Sequence, residues 1–172
     1  MNYSRIAIVP AKGKSVRIKN KNIKKFNGRP IINYTLDSLK KSKLFKKIHV
    51  STESKKVEQI VNNFGIKIDF LRPQKFAKDT TILNDVLKFV LREYKKLNYQ
   101  FDEIWLIYPC NPFLNKNLLN SAAKSFKKKN NFPLMTIKEY EAPIEWALFK
   151  KKNYFIPISK KNLLIDSKKI KK

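Results

Sequence analysis

Cysteine and histidine occur once each in the 172 residues, as Cys110 and His49. A lone cysteine excludes an internal disulfide, and one of each cannot make a Cys/His metal site. Cys110 therefore reads as a buried free thiol and His49 as an ordinary strand histidine. Glycine is scarce too, with three in the chain and only Gly13 in the first loop. That excludes both a Walker A loop and the three-glycine dinucleotide fingerprint. No apolar run approaches the ~20 residues of a membrane span, and Ile6 to Val9 is too short for a signal-peptide core. The expectation is a cytoplasmic protein without a membrane partner. Acidic residues number 13 against 39 basic ones, a net charge of +26, yet only Arg5, Arg17, Arg29, Arg72 and Arg92 are arginines. A basic nucleic-acid-binding module is one reading of that charge. Against it, arginine is the side chain that forks onto phosphates and bases, and the lysines are spread wherever a helix should face water.

What is present is a foldable core: 42% of the residues are hydrophobic and 12% aromatic, in a length that fits one domain. Arg5 to Val9, closed by Pro10, reads as a strand buried on both faces of a parallel sheet. Pro30 suits the first residue of a helix with Ile32, Leu36 and Leu39 on one face. Lys47 to Ser51 follows as a second strand. Ser54 then caps a helix bearing Val57, Ile60, Val61 and Phe64, which Gly65 ends. Ile66 to Leu71 reads as a third strand. A long helix over about Thr81 to Leu97 carries the stripe Leu83, Val86, Leu87, Val90, Leu91 and Tyr94. Glu103 to Tyr108 is the next buried strand, stopped by Pro109 to Pro112. A helix over about Asn117 to Lys128 and a strand around Leu134 to Ile137 complete the pattern. After Lys150 the period is lost, and Asp166 to Lys172 reads as frayed. The alternation predicts an α/β fold, a three-layer α/β/α sandwich with a mainly parallel sheet. Ligands of such a sheet bind beyond the carboxyl ends of its strands, where the first loop, Arg72-Pro73 and the Pro109 turn would converge.

The loop from Pro10 to Asn22 is long, charged and without an amphipathic period, and loops of that length are usually functional. Backbone donors near Gly13 and cations at Lys12, Lys14, Arg17 and Lys21 suit a triphosphate. Charge alone allows a solvated basic turn equally.

The order of motifs adds a further reading. Ile8-Val-Pro-Ala-Lys-Gly-Lys-Ser-Val-Arg-Ile-Lys-Asn-Lys-Asn-Ile23, followed by Phe26-Asn-Gly-Arg-Pro-Ile31, resembles the opening of the acylneuraminate cytidylyltransferases, which make CMP-activated nonulosonic acids. The likeness runs on through Val50-Ser-Thr52, Leu71-Arg-Pro73, Ala77-Lys-Asp-Thr-Thr81 and Tyr108-Pro-Cys-Asn-Pro-Phe113. At Glu139-Tyr-Glu-Ala-Pro-Ile144 it is most similar to the pseudaminic acid branch. The resemblance implies a nucleotide-diphospho-sugar transferase-like fold. It also implies transfer of CMP from CTP to a pseudaminic or sialic-type acid, for cell-surface polysaccharide. The anomeric hydroxyl would attack the α-phosphate, and pyrophosphate would leave.

Carried over by position, Lys12 and Lys21 would be the catalytic cations. Ala11, Lys12, Gly13, Arg17, Lys21, Asn22, Arg72, Asp79 and Thr81 would hold the nucleotide, with Arg72 on the cytidine side. Tyr108 and Asn111 would face the sugar acid. Mg2+ is the implied cofactor and a homodimer the family assembly. Departures accompany the likeness. Val16 stands where the family has a phosphate-binding lysine, Leu83 is apolar where a polar residue is expected, and Cys110 and Asn111 replace small residues. The family's later dimer-forming segment and metal-ligating Asp-x-Asp have no counterpart before Lys172, and Asp166 is isolated among lysines. The sequence thus reads as one cytidylyltransferase-like domain, 1–172, shortened at its C-terminus. A degenerate nucleotide-binding domain without turnover is the alternative.

Overall fold

The computed structural model describes residues 4–15, 18–128, 132–139 and 146–158. The chain divides into two units, Met1–Phe132 and Pro133–Lys172. In the first, strand β1 (Arg5–Pro10) lies between β4 (Lys47–Ser51) and β5 (Glu103–Leu106), parallel to both. Two short strands, β2 (Lys25–Phe26) and β3 (Arg29–Pro30), form a separate antiparallel hairpin. Its turn requires glycine at Gly28, where φ is +83°.

Alternation along β1 generates the layers, because successive side chains of a strand point to opposite faces. Ala7 and Val9 pack with Ile32, Leu36 and Leu39 of α1 (Ile31–Ser42), Val57 and Val61 of α2 (Lys55–Asn63) and Leu119 of α4 (Lys116–Lys128). Ile6 and Ile8 pack on the other side against Phe89, Val90 and Tyr94 of α3 (Leu83–Lys96). The fold is therefore the expected α/β sandwich, with helices on both faces of a parallel sheet. Strand order reverses about β1: α1 leads to β4 on one side, and α3 leads to β5 on the other.

Local signals explain the helix ends. Ser54 caps α2, its side chain accepting from the Val57 amide. At the far end the Gly65 amide donates to Asn62 O at 2.9 Å and the Ile66 amide to Val61 O at 3.2 Å, a Schellman closure that needs the positive φ of Gly65. Pro30 sits one position earlier than expected, as the residue preceding α1, and the long helix starts at Leu83.

Four expectations are corrected. Residues 66–71 form no strand, although Ile66 and Ile68 are buried. The Ile68 amide donates to Asn62 Oδ1 and the Arg72 amide to Thr52 O, so neither is available to a ladder. Residues 134–137 are likewise irregular and exposed. After Lys150 order is present, since β6 (Leu148–Lys151) and β7 (Tyr154–Pro157) form an antiparallel hairpin in the second unit. Cys110 is half-buried, because it lies beside the first loop, its Sγ 3.3 Å from Asn22 Oδ1. His49 is a buried strand residue, as read. Val16, Arg17, Asp166 and residues 140–144 of the last motif lie outside the described residues.

Candidate active site

β1 ends at Pro10 and β5 is followed by Tyr108 and Pro109, so the carboxyl ends of two neighbouring strands open side by side. A cavity of about 590 Å³ lies there, lined by both ends, by the first loop and by the segment from Arg72 into α3. This is the crevice where open α/β sheets hold ligands, next to the strand at which the order reverses.

The lining is divided by chemistry. Lys12, Lys21, Arg72 and Lys78 supply cations, while Ile18, Phe76, Leu83 and Val86 give an apolar wall. Asp79 lines the same cavity and is ion-paired with Lys12. Thr81 and Tyr108 complete the rim, with Tyr108 largely exposed. Of the residues expected from the sequence, Lys12, Lys21, Asn22, Arg72, Asp79, Thr81 and Tyr108 thus meet on one cavity. Ala11 is fully buried behind it. Asn111 stands outside the lining, its amide donating to Thr35 Oγ1 at 3.3 Å.

Hydrogen bonds fix the first loop from below. The Ala11 amide donates to Ser51 O at 2.9 Å, continuing the β1–β4 ladder beyond the strand. Asn22, buried in the middle of a single 3-10 turn (Lys21–Ile23), donates its side-chain amide to Lys12 O at 2.9 Å. The Gly13 amide donates to Glu53 Oε1 at 2.7 Å, and Arg72 Nη2 donates to Glu53 Oε2 at 2.8 Å. The Arg72 and Glu53 side chains are 4% and 8% exposed. Burial by itself would raise the Glu53 carboxyl. Hydrogen bonds from Arg72, its own amide and Gly13 outweigh that and hold it below its ordinary value. Arg72 Nε is buried without a hydrogen-bond partner in a side chain that lines the cavity. A polar group so placed is suited to an acceptor on a ligand. Burial pushes the Cys110 thiol up, against a smaller opposite pull from Lys21.

Glu53, Phe76 and Lys78 were not singled out from the sequence. Glu53 follows Val50-Ser-Thr52 at the carboxyl end of a strand, a position that marks the neighbourhood of a site but not the partners of this side chain. Phe76 lies between the two recognised motifs of its segment and Lys78 inside the second, and the chain path brings both to the cavity. Among the described residues no group of three or more His, Cys, Asp or Glu forms a metal-binding cluster. The acidic members near the cavity, Asp79 and Glu53, are held by Lys12 and Arg72. The described residues do not fit a protein-held divalent ion.

A cytidylyltransferase family model matches residues 6–167. The pseudaminic acid cytidylyltransferase of Campylobacter jejuni is 28% identical over 148 residues, covering 86% of this chain and 64% of that protein. The CMP-N,N'-diacetyllegionaminic acid synthase of Legionella pneumophila is 27% identical over 122 residues, covering 71% and 53%. The chain therefore spans between half and two thirds of these relatives. Among solved structures, a CMP:2-keto-3-deoxy-manno-octonic acid synthetase complexed with CTP superposes with a TM-score of 0.63 at 18% identity, covering 76% of this chain and 50% of that one. The last comparison establishes the fold, and the family match establishes descent.

Proposed function

Because the chain belongs to the cytidylyltransferase family, we propose that it binds CTP in the cavity at the ends of β1 and β5 and transfers CMP to a nonulosonic acid of the pseudaminic or legionaminic type. The observation that carries this reading is the gathering of Lys12, Lys21 and Arg72 on one cavity at the sheet's carboxyl edge. A triphosphate brings several negative charges, and fixed cations in a partly dry crevice stabilise them far better than water-exposed ones.

In the reaction an anomeric hydroxyl oxygen of the sugar acid forms a bond to the α-phosphorus of CTP. The bond from that phosphorus to the bridging oxygen breaks, pyrophosphate departs, and the hydroxyl proton passes to solvent. No covalent enzyme intermediate is required, so the chain's contribution is alignment and charge. Lys12 and Lys21 flank the phosphates, and a bound triphosphate competes with Asp79 for Lys12. Arg72 Nε offers a buried donor to an acceptor on the nucleotide. The apolar wall of Ile18, Phe76, Leu83 and Val86 takes the less polar parts of the substrates. Tyr108, at the rim, faces the sugar acid.

Pyrophosphate release from CTP, with magnesium in the buffer and a panel of nonulosonic acids, tests the proposal. Release is expected with at least one member, and Lys12→Met is expected to lower kcat/KM by about a hundredfold, as for the loss of one charge-stabilising donor. CTP binding without release from any member would reduce the reading to a nucleotide-binding domain. No CTP binding would remove it.

A further inference from the structure

We infer that Glu53 is a positioning residue for this site, holding the first loop and Arg72 in register through one buried carboxylate. This rests on the proposed use of the cavity for CTP. Glu53 does not line the cavity, so it acts through the groups it holds.

Three observations converge on it. Its two oxygens accept from different segments, Oε1 from the Gly13 amide at 2.7 Å and Oε2 from Arg72 Nη2 at 2.8 Å. Those donors are remote in sequence from each other, and one carboxylate sets the distance between them. The backbone beneath it is shared as well. The Ala11 amide reaches Ser51 O, and the Arg72 amide reaches Thr52 O at 2.8 Å, so the turn after β4 is the base for both cationic segments. Finally, the loop comes so close that a β-carbon on Gly13 would lie 2.6 Å from Ser54 Cβ and 3.3 Å from Glu53 Oε1. Only glycine permits that approach without a shift. Charge contributes alongside geometry: an ionised carboxylate accepts more strongly than a neutral group, and burial strengthens the bonds. The same carboxylate offsets the Arg72 charge before any substrate enters, while leaving Nε uncommitted.

Glu53→Gln keeps the size of the side chain but replaces one acceptor oxygen with a donor. Whichever way the amide is turned, either the Gly13 amide or Arg72 loses its acceptor. Two readouts on the full chain test the inference. Amide hydrogen exchange of residues 11–15 is expected to quicken by about tenfold or more in Glu53→Gln, with the amides of β1 and α3 unchanged. The Kd for CTP is expected to rise by about tenfold. Glu58→Gln, a charge-matched change in the surface pair with Lys55, is expected to move neither. Should the glutamine variant not fold, Glu53→Asp serves instead. It keeps a charge beside Arg72 and draws the carboxylate back by one methylene, so it is expected to loosen the loop. Wild-type exchange at residues 11–15 in the folded variant would overturn the inference, whatever happens to CTP. A loosened loop with unchanged CTP affinity would overturn the positioning role. If the wild-type chain takes no CTP, the proposed function falls, and the exchange measurement alone decides whether Glu53 holds the loop.

Discussion

A β-carbon at position 13 would meet both Ser54 Cβ, at 2.6 Å, and Ser54 Oγ, at 2.9 Å. These are the stem and tip of the side chain that caps α2, so one contact couples the first loop to a helix end. Gly13→Ala should push the loop off its base and weaken CTP binding by about tenfold or more, on the scale of a misplaced charge-assisted hydrogen bond. Ser54→Gly removes both clashing atoms, and glycine at an N-cap costs only about a few tenths of a kcal/mol. The double variant should therefore regain most of the lost affinity. Titration of CTP into the three variants checks this, and a double variant as weak as Gly13→Ala would show that the contact with Ser54 is not the cause. Lys12, Lys21 and Asn22 could be expected at the cavity they line, because the cations around Gly13 and the likeness to the family's opening are both local patterns. Glu53 could not, because its partners Gly13 and Arg72 lie 40 and 19 residues away along the chain.

Between β4 and α3 a polar chain crosses the second core. His49 Nδ1 lies 3.0 Å from Tyr94 Oη, Tyr94 donates to Asp69 Oδ2 at 2.6 Å, and Lys47 Nζ pairs with the same oxygen at 2.6 Å. Since the Tyr94 hydroxyl donates to Asp69, its oxygen accepts from a protonated His49 Nδ1, which fixes the neutral tautomer. Burial lowers His49 to about 3, overriding the upward pull of Asp69. Burial together with the bond to Asp69 raises the Tyr94 hydroxyl. An unfolded chain protonates its histidine near the ordinary 6.5, whereas the folded one resists until about 3. Stability is therefore complete above pH 6.5 and falls as pH drops through that window, by roughly tenfold in the folding constant per pH unit. Glu53 and Asp69, both lowered, add their own losses only as pH falls past their ordinary values of 4.5 and 3.8. Urea unfolding at pH 7, 6 and 5 should show the decline in the wild type and a flatter profile in His49→Gln. Equal slopes in the two proteins would contradict the assignment.

The whole molecule carries a net charge of +26, and the cavity shares its sign through Lys12, Lys21, Arg72 and Lys78. Surface lysines do little for stability as isolated pairs, but their summed field draws anions toward a concave site. The association rate of CTP should fall by roughly tenfold between low and physiological salt, as the screening length shrinks to about 8 Å. Dissociation should change much less, because the contacts it breaks are partly buried. Stopped-flow binding across a salt series separates the two rates, and a flat association rate would assign the lysines to solubility alone. A nucleic-acid partner would instead show a steep loss of RNA or DNA affinity with salt.

By itself the sequence determined the layers and the loop that follows the first strand. The continuous apolar run of β1, the stripes of α1 to α3, the Ser54 cap and the Gly65 stop are local consequences of strand and helix period, and a central strand buried on both faces requires helices on both sides. Tertiary structure decided what depends on distant partners. Ile66 to Leu71 has the alternation of a strand, yet its amides at Ile66 and Ile68 go to Val61 and Asn62, and that of the following Arg72 to Thr52. Pairing needs a neighbouring strand with free groups, which no stretch of sequence reveals on its own. The hairpin of β6 and β7 was hidden for the opposite reason, since lysine-rich text obscured a pairing made through the backbone. The tie through Glu53 belongs to the same class: a buried carboxylate is stable only where folding brings it two donors at once.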